Sequence, residues 1–425
     1  DIRVTGVQTC ALPIYISQHL TDTLQNQDNK VSYLSNSVLS QCLQVLSHES
    51  IPDSKSEAYK YCPLNQVLRK PVLELKQGFK EHVAEAVQIT SDLVLYWNNG
   101  RIEIPERIPQ GLSIFKFSDQ KSINLDFTSE PTFLEALNVT FPQDSLQIDV
   151  LEDAPPKLRI FIKYSQHCNS SSWINIRLHV TISQGKQVEC IEEFSETQGA
   201  NCTLNFFARY TLKQNASLNH LIVQESGSKS IQLQDRRVIL DSHSNYTGFT
   251  CSARTSLARF DHTIEFNGDL AQGTLRGLSL VHSNELTDHH TKMIHRVPNT
   301  QSHQIYKSLV WNKANSVFNG IIHVLPQAQK TDAFQSSKNM LIGDDAQCNV
   351  KPQLEIFAND VKCSHGTSTG HVDPQALFYL QSRGIGKSEA TQLLQDAFAA
   401  ELIETVSAVD IRTWLQEKLQ GSWLQ

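Results

Sequence analysis

A thiol and an imidazole stand two positions apart in the string Cys363-Ser364-His365-Gly366. On an extended strand alternate residues share a face, so both side chains would point the same way. Sulfur and imidazole nitrogen are good ligands for iron or zinc, but two ligands alone hold neither a metal ion nor a cluster. Others would have to come from a second chain. On the residues alone, a buried structural pair is the simpler reading. Histidines also crowd one stretch: His282, His289, His290, His295 and His303 fall within 22 residues. Histidine is the commonest metal ligand, yet no H-E-x-x-H motif accompanies them. His289 and His290 on one strand would point oppositely, which favours separate, hydrogen-bonded roles. Asp344 and Asp345 form adjacent carboxylates, the acid–base pairing of some solenoid polysaccharide hydrolases. A solvated turn is the plainer reading. Gly384–Ser388 (GIGKS) ends like a phosphate-binding loop, but Gln381 stands where its first glycine is required and a helix precedes it. It reads as a helix–turn–helix junction.

The elements that must position these residues fall into three zones. From Val31, apolar residues at Leu34, Val38, Cys42 and Val45 keep the period of one helix face, and helical pattern returns from Val67 to Ile89 around Pro71. From about Leu93 the period changes to two. Short alternating runs such as WINIRLHVTI (173–182), CTLNFFARYTL (202–212), SLNHLIVQE (217–225), HTIEFNG (262–268), SHQIYKSLVW (302–311) and VFNGIIHVL (317–325) are separated by Asn, Gly, Asp and Ser. So many short strands imply a sandwich, a barrel or a stacked β-solenoid. A solenoid fits the length best and needs its open ends capped; helices at both ends of the chain would supply the caps. After His371 helices return: Asp373 is an N-cap, Pro374 the first helical residue and Gly384 a helix-ending glycine.

The 425 residues are 40% hydrophobic and 19% charged, with a net charge of −7. That is a globular composition, and a mildly acidic chain without a basic run is a poor nucleic-acid binder. No apolar run reaches the length of a membrane span. Residues 1–14 lack the pattern of a secretory signal and read as a non-native or disordered segment. A cytoplasmic location follows as an expectation. The nine cysteines are scattered with no C-x-x-C pair, which argues against a zinc knuckle or a self-contained cluster. Most read as small buried apolar residues, not disulfides.

The stretch 351–385, KPQLEIFANDVKCSHGTSTGHVDPQALFYLQSRGI, closely resembles the signature of the SufB/SufD family of iron–sulfur cluster assembly scaffold proteins. Residues 297–346, with their YK, FNG and AQKTDA elements, are similar to the same family. So is PDSKSEAYKYCPL (52–64), with Tyr59 where the family has tryptophan and Cys62 where it has threonine. The C-S-H-G string and this early element look like the SufD branch; the SufB branch is the alternative. A carbohydrate-active β-helix enzyme using Asp344 and Asp345 is a more distant one.

The resemblance implies a mainly β fold: a right-handed parallel β-helix (β-solenoid) core over 93–371, an N-terminal helical domain over 15–92 and a C-terminal helical domain over 372–425. It implies a non-catalytic subunit that pairs with SufB through its β-helix and docks the SufC ATPase with its C-terminal helices. His365 would sit at the SufB interface as an iron or cluster ligand, with Cys363 beside it. Leu377, Phe378, Tyr379, Leu380, Arg383 and Ile385 would contact SufC. No cofactor would be bound by this chain alone. A transient iron–sulfur cluster would form at the partner interface; the resemblance leaves room for a flavin in the assembled complex, but no flavin motif stands in this sequence.

Overall fold

The structure, a computed structural model, describes residues 34–48, 52, 54–62, 64, 89–120, 131–166, 172–196, 202–227 and 229–420. The expected segment 1–14, most of the expected helix over 67–89, Cys10 and Cys168 lie outside them.

Alternation of buried and exposed side chains builds two sheets from strands taken in turn. One sheet holds β1 (Leu93–Asn98), β2 (Arg101–Glu103), β5 (Lys157–Gln166), β7 (Gln187–Glu196), β9 (Ser217–Glu225), β11 (Asn245–Ala253), β13 (Gln272–Val281), β15 (Gln301–Trp311), β17 (Asp332–Ile342) and β19 (Lys362–His371). The other holds β3 (Leu112–Lys116), β4 (Ser145–Val150), β6 (Ser172–Ile182), β8 (Cys202–Leu212), β10 (Ile231–Leu240), β12 (Leu257–Phe266), β14 (Leu286–His295), β16 (Asn315–Val324) and β18 (Gln347–Ile356). From β5 onward every described pairing is parallel, and each strand pairs with the strand two places along the chain. Asn245 pairs with Gln272, 27 positions on, and Asn315 with Gln347, 32 positions on. This is the expected parallel β-solenoid, two strands to a coil. Asn215, Asn299 and Asn312 adopt left-handed backbone angles in its turns, a conformation asparagine tolerates better than most residues.

In-register stacking places like side chains above one another inside the coil. Tyr164 pairs in register with Phe194, and their rings lie 4.2 Å apart and nearly coplanar. Phe206 closes on both from the opposite sheet, edge-on at 5.3 and 5.4 Å. Such pairs add about 0.5–1.5 kcal/mol each beyond simple burial. Gly277 is required where Tyr306 crosses it: a Cβ there would lie 2.2 Å from the ring.

Among the described residues the helices that pack on the solenoid do not cap the coil ends, contrary to the sequence expectation. They lie on the outer faces of the two sheets. On the even-numbered sheet, α1 (Asn36–His48) packs on α2 (Phe133–Thr140), and Leu34, Val38, Cys42 and Leu46 join Phe133, Leu137, Trp173, Ile231 and Leu233 in one apolar cluster. α2 is buried at all eight positions. Asn138 on it donates to the carbonyls of Ile176 (3.0 Å) and Asn205 (2.8 Å). On the odd-numbered sheet, α4 (Lys387–Ile403) and α5 (Val409–Gln420) bury Ala399, Leu402, Ile411, Trp414 and Leu415 against Phe161, Ile191, Leu221, Phe249 and Leu278. The cause is the strands' composition: a sheet apolar on both sides must be covered on both. One coil end is finished by antiparallel pairs, β1 with β2 and β3 with β4. At the other end, β18 and β19 each have a neighbour on one side only.

Candidate functional site: the open coil end

Among the described residues β18 and β19 end the two sheets, so each presents a row of backbone N–H and C=O groups with no further strand. Their side chains are set by the strands below. Cys363 pairs with Ala333 and His365 with Gln335, and both lower residues are 1% exposed in the coil interior. Cys363 and His365 therefore share the inward face of the last coil, as their spacing predicts. Cys363 is half-buried against the main core, while His365 is exposed because no further coil covers it. Burial pushes the Cys363 thiol above its ordinary range, and the nearby Asp332 carboxylate adds to that shift.

The opposite strand contributes a thiol that sequence reasoning passed over. Cys348 pairs in register with Ser316, two positions before the core residue Phe318, and shares the face of Val350 and Leu354, which pack on the core. Burial raises its pKa to about 12, against a hydrogen bond with Thr369 on β19. The alternation Cys348, Val350, Pro352, Leu354 was the available signal. Beneath the rim, Gln335 donates to the carbonyl of Gly320 (3.3 Å), and Asn339 donates to Thr369 Oγ1 (3.3 Å). The inward rim thus carries an imidazole, two thiols, hydroxyls and exposed Ile356, which pairs with the core residue Val324, and exposed Phe357 follows at the end of β18.

Directly after β19 comes α3 (Pro374–Ser382). Asp373 caps it by accepting from Gln375 N (2.9 Å), Pro374 starts it, and Gly384 follows it with φ of 88°. No residue of α3 is buried. Phe378 is 72% and Tyr379 58% exposed; Leu377, Leu380 and Ile385 are half-buried, and Arg383 lies over the Tyr379 ring. Gly384–Ser388 is the turn into α4, as read from the sequence.

The other candidates disperse. Asp344 and Asp345 are exposed on the turn between β17 and β18. His289 stacks on Phe260 and hydrogen-bonds Ser279 Oγ (2.9 Å); His290 faces out and meets Asp288 (2.9 Å). His295 stacks on Phe266 and hydrogen-bonds Thr300 (2.7 Å) and Ser302 (2.9 Å). Burial lowers His289 to about 4 and His295 to about 3, so both are neutral structural side chains. Among the described residues no group of three or more His, Cys, Asp or Glu is placed to hold a metal ion. Any metal at the open end would need ligands from elsewhere.

A polar cluster inside the coil also went unread. Glu192 accepts from Arg236 (2.5 Å), Tyr210 (2.7 Å) and Tyr164 (3.2 Å), and His220 lies 3.3 Å away. Burial alone would raise the Glu192 carboxyl, but Arg236 and His220 hold it well below the usual range. Tyr246 links His220 (3.1 Å) to His262 (3.0 Å).

Among the described residues, the parallel β-solenoid has one end finished by antiparallel pairs and one end with two strands that lack a further neighbour. The SUF system FeS cluster assembly SufBD core domain matches residues 165–398, more than half of the chain, and the chain belongs to that family. It is 29% identical over 378 residues to the Escherichia coli iron–sulfur cluster assembly protein SufD, covering 86% of this chain and 88% of that one. It is 31% identical to the Arabidopsis thaliana chloroplastic protein ABCI7 over 58% of this chain and 52% of that protein. A SufBD family iron–sulfur cluster assembly protein of Synechocystis is 26% identical, over 57% of this chain and 55% of that protein.

Proposed function

We propose that this chain is a non-catalytic scaffold subunit of SUF iron–sulfur cluster assembly, of the SufD branch, working in the cytoplasm. Its open coil end pairs with a SufB-type paralogue, and α3 docks a SufC-type ATPase. The nascent cluster is cargo that forms at the paired rims. His365 offers a neutral imidazole to iron, beside ligands of the partner, with Cys363 adjacent. Imidazole donates more weakly than thiolate, which suits a cluster that must leave again. The observation that carries the reading is the pair of unpartnered parallel edges with His365 on their inward face. The branch assignment is supported by the name of the Escherichia coli relative, which shares most of its length with this chain.

The exposed apolar surface of α3 supports the ATPase site. Phe378 and Tyr379 are mostly exposed, with Arg383 the neighbour over the tyrosine ring, so substituting both should leave the fold intact. The test is anaerobic co-expression of the tagged chain with the SufB-like and SufC-like proteins of the same source, followed by native mass spectrometry. We expect a complex of all three. Phe378→Asp with Tyr379→Ala should release the ATPase while keeping the SufB-like chain. A tagged monomer beside two soluble, unbound partners would remove the function.

A further inference from the structure

Arg276 is a charge without a counter-charge. It stands on the outer face of β13, in a lateral row that register makes otherwise apolar: Ile191, Leu221, Phe249, Arg276, Ile305. α4 and α5 cover this face, but the loop between them, Thr405–Ala408, leaves a cleft. Leu221, Phe249, Val406, Ala408 and Ile411 wall it, and Arg276 reaches it from one side. The Arg276 Nε is buried with no hydrogen-bond partner, and the side chain makes no ion pair among the described residues. Desolvation lowers its pKa, with no carboxylate acting against the shift. Glu189 also lines the cleft, but Arg159 already engages it (2.8 Å), together with Asp410 (2.5 Å). The side chain as a whole is half-buried, so it is the Nε–H that is left without a partner, a cost that a ligand carboxylate would remove.

We infer that the cleft beneath the Thr405–Ala408 loop is a binding site for a short aliphatic monocarboxylate, with Arg276 as the partner of its carboxylate. The fit is chemical and steric. A guanidinium takes a carboxylate through two parallel N–H donors, and the free Nε is one of the pair used in that geometry. The apolar walls take an alkyl stem. The cleft is half-open to solvent and holds about 50 Å³, a few times the minimum for one water. It admits a carboxylate head and a short chain.

The full chain titrated with butyrate, and separately with n-butylammonium, tests this by ligand-observed NMR. Butyrate should bind saturably, with transfer from the methyls of Val406 and Ile411; n-butylammonium should not bind. Arg276→Gln should weaken butyrate by about tenfold or more, the loss expected for a charge-assisted hydrogen-bonded pair. Because it removes a half-buried charge that has no ion-pair partner among the described residues, the same variant should melt close to the wild-type temperature. Ala408→Phe keeps the arginine and fills the cleft, so it should abolish binding by itself. Equal binding of the two probes, or butyrate binding unchanged in both variants, would overturn the site. Neither result bears on complex assembly through the open coil end.

Discussion

His365 and Cys363 share a strand face but not an environment. His365 is exposed at the rim, free to take up a metal ligand role without disturbing the core; Cys363 is half-buried and its thiol is held protonated. His365→Ala should therefore leave the three-chain complex assembled and lower cluster yield, read as iron and sulfide content after anaerobic reconstitution. Undiminished yield from the variant would end the ligand role. A second residue-scale prediction concerns pH. His289 and His295 are buried neutral, with folded pKa values of about 4 and about 3, below the ordinary 6.5. A depressed folded pKa gives stability that is full above pH 6.5 and is lost as pH falls towards 4 and 3. Each shift corresponds to roughly 3 kcal/mol or more at its limit. Denaturant midpoints should fall steadily below pH 6.5, and His295→Gln should flatten part of the slope. A wild-type midpoint constant from pH 7 to 4.5 would contradict this. The sequence displayed all of these residues, but type and spacing could not separate an imidazole stacked in the interior from one at the rim. That distinction depends on which coil is last.

At the scale of elements, the segment around Tyr59 works as a strap. Tyr59 lies over the Arg259 guanidinium at 4.3 Å, and Arg259 also donates to the Ala58 carbonyl (2.7 Å), Asp261 (2.8 Å) and Asp288 (2.9 Å). Glu57 reaches Lys351 on β18 (2.6 Å). Arg259 is the hub, and Asp288 beneath it is 1% exposed. Arg259→Leu should cost about 3–5 kcal/mol, because it leaves a buried carboxylate without its cation. Chemical denaturation of the two proteins side by side would measure the difference, and a loss under about 1 kcal/mol would show the strap to be incidental. Tyr59 and Cys62, where the family pattern has tryptophan and threonine, keep the strap: the ring still covers the arginine and Cys62 is fully buried. The strands themselves were legible, because their period of two is local. CTLNFFARYTL and SLNHLIVQE matched strand bounds to the residue. HTIEFNG caught only the second half of its strand, since Arg259 and Asp261 break the apolar alternation on the outward face. Where the helices lie was misread, although the sign was present. Runs such as FF and LIV, apolar at consecutive positions, mark strands buried on both faces and so predict helices on the sheets.

At the scale of the whole molecule, one end is finished and the other is not. Sandwich, barrel and solenoid share the same local alternation, so sequence could only rank them. The deciding fact is register, each strand pairing with the strand two places away, and pairing partners leave no mark in strand period. A coil repeat that varies from 26 to 32 residues also hides any strict periodicity. Edges of this kind invite another strand. The isolated chain should self-associate with rising concentration in sedimentation velocity, and the SufB-like partner should suppress that. A concentration-independent monomer would argue that the rim residues guard the edge by themselves.

The same feature makes the molecule a one-dimensional stack, in which each interior coil is held by two neighbours and the last by one. In such stacks stability is the sum of each unit and its contacts with adjacent units. The β18–β19 coil is thus the first to fray, and its amides should exchange with deuterium sooner than those of β10 or β12. Docking a second solenoid there supplies the missing neighbour. On the proposed function, formation of the joint and the ordering of the strand that carries His365 would be one event, and His365 would be held in place only while a partner is present.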